Sequence, residues 1–207
     1  MGYESPMPVQ EEVIPFLLGD DNDVIALAQT GTGKTAAFGL PILQKIDVTT
    51  YHPQALVLCP TRELCLQIAD DLNDYSKYID NLKVLPVYGG SSIESQIKTL
   101  KRGVHVVVAT PGRLLDLMNR KTVDLSLVKN VIMDEADEML NMGFTDSINA
   151  ILAEVPENRN MLLFSATMPK EIANITKKYM KNPKEIVIGN KNEGNKNIRD
   201  IYFMVRA

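Results

Sequence analysis

Apolar residues in this chain come mostly in short continuous runs separated by longer stretches of helical spacing. The runs at 24–27, 55–59, 84–88, 105–109, 131–134, 161–165 and 185–188 predict strands. Their apolar content is nearly unbroken rather than alternating, the pattern of a parallel sheet covered on both faces. Between them, 9–18, 34–46, 62–78, 91–100, 145–153 and 170–180 predict helices. Leu64, Ile68 and Leu72 share one helix face, and Ser91-x-x-Glu94 has the form of a capping box before a stretch that stops at Gly103. Pro169 suits the start of the last helix. Such alternation predicts an α/β fold, an open twisted mainly parallel sheet of about seven strands with helices on both faces. Ligands of such sheets bind at the carboxyl ends of the strands.

The end of the chain changes character. From Gly189 to Asn197 it is polar and rich in Gly and Asn, a linker composition. A strand-like run, 198–205, follows. Residues 1–189 are therefore expected to form one domain, with 190–207 a linker and the first strand of a second, absent domain.

Composition narrows the class. The chain has 207 residues, 45% apolar and 23% charged, enough for one domain with a substantial core. No apolar run approaches the ~20 residues that span a bilayer, and no signal peptide is visible. Cys59 and Cys65, the only cysteines, are expected as small buried thiols, in keeping with a reducing, cytoplasmic setting. The net charge of −4 argues against a nucleic-acid binder that works by global attraction. Any nucleic-acid contact would have to be local.

Candidate chemistry falls directly after the predicted strands. Ala28-Gln29-Thr30-Gly31-Thr32-Gly33-Lys34-Thr35 lies between a strand and a helix, the arrangement of a phosphate-binding P-loop. Its backbone N–H groups and the helix N-terminus suit phosphate oxygens. Lys34 would reach the β- and γ-phosphates, and the Thr35 hydroxyl would ligate Mg²⁺. Ala28 stands where a first glycine is usual. After a second strand, Asp134 is placed to hold Mg²⁺, largely through water, and Glu135 to orient or deprotonate the attacking water.

Asp134-Glu135-Ala136-Asp137 spells D-E-A-D, and the chain resembles the N-terminal RecA-like, ATP-binding domain of a DEAD-box ATP-dependent RNA helicase. The resemblance covers essentially all of residues 2–189. It implies an adenine-reading Q motif at 2–10, in which the Gln10 amide meets the adenine edge and Tyr3 packs on the base. Met7 replaces the family's frequent Thr or Ser. An aromatic residue that the family has upstream would precede Met1. The resemblance further implies RNA-facing loops at Pro60-Thr61-Arg62, Gly89-Gly90 and Thr110-Pro111-Gly112-Arg113. These would grip the RNA backbone with little sequence preference, Arg62 or Arg113 adding charge or bracing the loops. Ser165-Ala166-Thr167 resembles the motif that couples ATP state to unwinding, its hydroxyls bonding Asp137 if the two strands are neighbours. The expected cofactors are ATP and Mg²⁺. The expected partners are RNA and a second RecA-like domain, with no membrane and a monomeric state. Alone, the domain is expected to bind nucleotide with little turnover. Two alternatives share parts of this pattern: an ATP-gated RNA clamp that does not unwind, and a P-loop ATPase directed at DNA or at no nucleic acid.

Overall fold

The computed structural model describes residues 4–19, 23–29 and 31–188. Tyr3, Thr30 and the expected linker and strand beyond Ile188 lie outside the described residues. The elements run α1 (Pro8–Leu18), β1 (Val24–Leu27), α2 (Lys34–Lys45), β2 (Ala55–Leu58), α3 (Arg62–Tyr75), β3 (Val84–Val87), α4 (Ile93–Lys101) and β4 (Val106–Ala109). They continue α5 (Pro111–Asn119), β5 (Asn130–Met133), α6 (Ala136–Asn141), α7 (Thr145–Glu154), β6 (Asn160–Ser165), α8 (Lys170–Tyr179) and β7 (Lys184–Val187).

All seven expected strands form, in one sheet of order β3-β4-β2-β5-β6-β1-β7. Every pairing is parallel. Strands β1 to β6 send side chains alternately into two apolar layers, so both faces must be covered, while edge strand β7 buries only Ile186. On one face Val57, Val108, Ile132 and Phe164 meet α1, α2 and α3 through Val13, Phe38, Ile42 and Leu72. On the other, Leu56, Val107, Val131 and Leu163 meet α5, α7 and α8 through Leu114, Leu117, Ile148, Ile151 and Ile172. Phe38 and Phe164 pack ring on ring, centroids 5.5 Å apart, joining α2 to β6.

Two short helices, α5 and α6, follow directly on strand-end motifs, and the hydrophobic pattern does not single them out. Pro111 occupies the first turn of α5, where its missing N–H costs nothing. Two details of the sequence reading shift. The first is the cap of α4: it is Ser92, whose hydroxyl accepts from the Ser95 N–H at 3.2 Å, rather than Ser91. The second is the end of α3, which stops at Tyr75, where Ser76 forms the C-cap. Cys59 and Cys65 are buried free thiols, as expected. The contact with Cys65 and burial push the Cys59 thiol up, so it stays protonated.

Two buried polar groups tie strand starts together at the pole away from the candidate chemistry. Asp23 accepts backbone N–H groups from Met161, at 2.7 Å, and from Lys181. His105 accepts the Lys83 N–H on Nδ1 at 3.0 Å, which leaves Nε2 to donate to the Val48 carbonyl at 3.2 Å.

Candidate nucleotide and RNA site

The carboxyl ends of β1, β5 and β6 converge because these strands lie side by side. Gly31 and Gly33, at φ 77° and 80°, turn the chain out of β1 and into α2. A Cβ at Gly33 would lie 2.5 Å from Gln10 Nε2 and 2.7 Å from Met7 Sδ, so both side chains would have to move. The loop is held below by the Ala28 N–H donating to the Ser165 carbonyl at 3.0 Å, and across by the Thr32 hydroxyl donating to the Gln29 carbonyl at 2.8 Å.

Lys34 is buried at the first position of α2, and its Nζ lies 3.2 Å from Oδ1 of Asp134, also buried. Two buried charges of opposite sign offset part of one another's desolvation cost. The same Asp134 carboxylate oxygen accepts the Glu135 N–H at 3.0 Å. Glu135 sits in the left-handed region at φ 52°, an uncommon conformation for a residue with a side chain. Burial, and then the neighbouring Asp134, push the Glu135 carboxyl above its ordinary range, while Lys34 pulls it back. A half-buried carboxylate beside a second one, with an ammonium in reach, suits a proton acceptor.

The donors fit Mg²⁺. The Thr35 hydroxyl and Asp134 carboxylate are hard oxygen ligands. Among the described residues no cluster of three or more His, Cys, Asp and Glu is arranged to hold a metal. A cation held here would draw its remaining ligands from phosphate oxygens and water, the usual habit of Mg²⁺.

Gln10 is buried, with both ends of its amide engaged: Oε1 accepts the Met7 N–H at 3.0 Å and Nε2 donates to the Gly33 carbonyl at 3.1 Å. It thus joins the N-terminal segment to the phosphate loop, a contact between residues 23 positions apart that the sequence does not reveal. One N–H and further lone-pair capacity remain for another partner.

The residues expected to couple ATP state to unwinding meet at the ends of β5 and β6. The Thr167 hydroxyl and N–H both donate to Asp137 Oδ2, at 2.8 and 3.0 Å. Ser165 does not bond the carboxylate; its hydroxyl accepts the Asp137 N–H at 3.3 Å. Ala166 lies exposed between them.

The other three motifs line a continuous rim after β2, β3 and β4. Pro60 and Thr110 are buried, while Arg62, Gly89, Gly90 and Gly112 are exposed. Thr61 caps α3, its hydroxyl accepting from the Leu64 N–H at 3.2 Å. The Arg62 guanidinium stands over the Tyr88 ring, 4.9 Å from its centroid. Arg113 Nη1 donates to the Ser91 carbonyl at 3.1 Å and to Gln96 Oε1 at 3.2 Å. Both arginines therefore brace neighbouring loops. Gln96, buried under the rim, is a residue the sequence reading missed. The signal was a polar side chain inside the apolar stripe Ile93, Ile97 and Leu100 of α4.

A glycine-rich loop after one strand and paired acids after another, on a parallel sheet, define a P-loop nucleotide-hydrolase domain. The sequence profile of DEAD/DEAH box helicases matches residues 7–175. The chain is 51% identical over 205 residues to the ATP-dependent RNA helicase DeaD of Mycobacterium tuberculosis, 99% of this chain and 36% of that protein. It is 50% identical over 188 residues to DeaD of Escherichia coli K12, 91% of this chain and 30% of that protein. A DEAD box protein from Methanococcus jannaschii superposes with a TM-score of 0.86 at 46% identity, over 90% of this chain and 50% of that one. A hypothetical ATP-dependent RNA helicase from Sulfolobus tokodaii gives a TM-score of 0.82 at 44% identity. The chain belongs to the DEAD/DEAH box helicase family and has the RecA-like fold of its solved members. It spans about a third of the length of these curated relatives.

Proposed function

We propose that this chain is the nucleotide-binding part of an ATP-dependent RNA helicase. The observation that carries the proposal is the buried Lys34–Asp134 pair between the phosphate loop and the DEAD tetrad. The pair supports this reading by setting the Lys34 ammonium against the Asp134 carboxylate, with Glu135 next in the chain. Lys34 and the N–H groups at the start of α2 hold the β- and γ-phosphates. Thr35 and Asp134 would hold Mg²⁺, largely through water, and the ion would supply charge stabilisation to the triphosphate. Glu135 takes a proton from the water that attacks the γ-phosphorus. Gln10 reads the adenine edge, and packing on the base is the role the family resemblance gives Tyr3. On the rim, Pro60, Thr61, Arg62, Gly89, Gly90, Thr110, Pro111, Gly112 and Arg113 bind RNA through its backbone. The Asp137–Thr167 bonds link the hydrolytic strand to the strand that supports the loop, so a change at one is felt at the other.

Residues 1–189 act as the catalytic half. The whole protein carries a second RecA-like domain that supplies cationic groups to the transferred phosphate and closes over the RNA. We place the protein in the cytoplasm as a monomer, in accord with its free buried thiols. The test is calorimetric titration of the chain with Mg²⁺–ADP and with GDP. Tighter binding of ADP is expected. Equal binding of both would overturn the adenine-reading role of Gln10, and binding of neither would overturn nucleotide binding by this chain.

A further inference from the structure

We infer that Gln96 is a positioning residue of the RNA-facing rim, fixing the loop after β3 and the first turn of α5 as one unit. The inference rests on the RNA reading of the rim given above. Gln96 lies in the first turn of α4, on the stripe that Ile93, Ile97 and Leu100 turn toward the core. An apolar side chain there would bury area without desolvating an amide. The amide is nevertheless buried, and burying it unpaired is costly.

Its bonds all lead to the rim. Nε2 donates to the Tyr88 carbonyl at 3.1 Å and to the Ser91 hydroxyl at 2.7 Å. Oε1 accepts from Arg113 Nη1 at 3.2 Å, and the same nitrogen donates to the Ser91 carbonyl at 3.1 Å. The Ser91 hydroxyl in turn donates to the Tyr88 carbonyl at 3.3 Å. Both amide hydrogens are used, and Gln96 is the only side chain among the described residues that joins Tyr88, Ser91 and Arg113 directly. Tyr88 carries the Arg62 guanidinium on its ring, so the third motif joins the same assembly. The phosphate-binding groups on the three segments are then held at a fixed separation, which is what a polymer with a regular phosphate repeat requires.

Truncating Gln96 leaves the Tyr88 carbonyl without its amide donor and Arg113 with one acceptor fewer. The test is a double-mutant cycle of Gln96→Ala and Arg113→Ala, read by fluorescence anisotropy on a labelled single-stranded oligouridine with Mg²⁺–nucleotide present. Each single variant is expected to weaken RNA binding about tenfold. The double variant is expected to be no weaker than the more affected single one, because both remove the same junction. Fully additive losses would overturn the inference. Gln96→Glu, which retains an acceptor for Arg113 but no donor, is expected to fall between wild type and Gln96→Ala; a loss equal to that of Gln96→Ala would overturn the Arg113 link.

Amide hydrogen exchange provides the arm that does not depend on RNA. In Gln96→Ala, exchange is expected to quicken together at 89–92 and 112–113 while β2 and β5 keep their protection. Faster exchange confined to α4 would overturn the inference. If wild type fails to bind RNA, the RNA reading of the rim falls, and the exchange result alone decides whether Gln96 couples the two segments.

Discussion

At the scale of single residues, the site is built from groups that would be costly anywhere else. Lys34 and Asp134 are each buried as one half of an ion pair. In Lys34→Ala the carboxylate remains buried with no counter-charge, and the phosphates lose their ammonium. Loss of a charge-assisted contact predicts a fall of about 10²-fold in Mg²⁺–ADP affinity, measured by calorimetry. Gly33→Ala tests the loop by a different route. A Cβ at φ 80° is strained, and it meets Gln10 Nε2 at 2.5 Å. Destabilisation of about 1–3 kcal/mol is expected in urea unfolding, together with weaker adenine binding as Gln10 is displaced. Glu135 gives a third test, in pH. Its carboxyl is held above the ordinary Glu value of 4.5. The proton-accepting form is therefore lost at a higher pH than for an exposed Glu. In the nucleotide-free chain this carboxyl is expected to titrate above 4.5, read by carbon-13 NMR, and Glu135→Gln is expected to abolish turnover by the whole protein while retaining nucleotide.

At the scale of elements, the strands lead the chain to the site and the helices after them point their amino ends back at it. α2, α3 and α5 each begin at the end of the loop that leaves a strand, at Lys34, Arg62 and Pro111. Each contributes free N–H groups and a partial positive charge to the same edge. At the opposite pole the strand starts are held by His105, which works as a neutral ring, Nδ1 accepting and Nε2 donating. Burial pushes its pKa below the ordinary 6.5, outweighing the opposing bond to Val48. The unfolded chain takes up the proton first as pH falls. This contribution to stability is therefore complete above about pH 6.5 and is lost as pH falls through the lower folded value. Stability measured by urea unfolding between pH 8 and pH 5 is expected to decline on the acid side, and His105→Gln is expected to flatten that part of the curve. An unchanged slope would assign the decline to other groups.

At the scale of the whole molecule, the rim and the loop after β1 lie on one edge of a single sheet, the edge that the proposed function turns toward a second domain. In related hydrolases an arginine supplied from outside contributes about 10³–10⁵ in rate. Turnover by this chain alone is therefore expected to be slower than that of the whole protein by about that factor, and duplex unwinding to be absent. Phosphate release with and without RNA measures the first, and strand displacement the second. RNA-stimulated turnover by the isolated chain at the rate of the whole protein would show that no outside group is needed.

The amino-acid sequence by itself determined the strands, the α/β class and the glycine turns of the loop after β1, because these depend on local runs and on residues adjacent in the chain. An unbroken apolar run such as 106–109 has few stable homes other than a covered parallel strand, and Gly31 and Gly33 announce their turn without reference to anything distant. Even the DEAD tetrad is contiguous. Tertiary structure alone decided the strand order, and with it that β5 and β6 are neighbours, so that Thr167 reaches Asp137 across 30 residues. It also decided that Gln10 lies under Gly33 and that Gln96 joins two loops of the rim. No periodicity encodes such contacts, since a hydrogen bond between distant residues depends on how the sheet is wound. The helices α5 and α6 fell between these cases. Each is short and starts inside a functional motif, where loop chemistry obscures the helical repeat, and each is held as a helix by the apolar layer into which Leu114, Leu117 and Met139 pack.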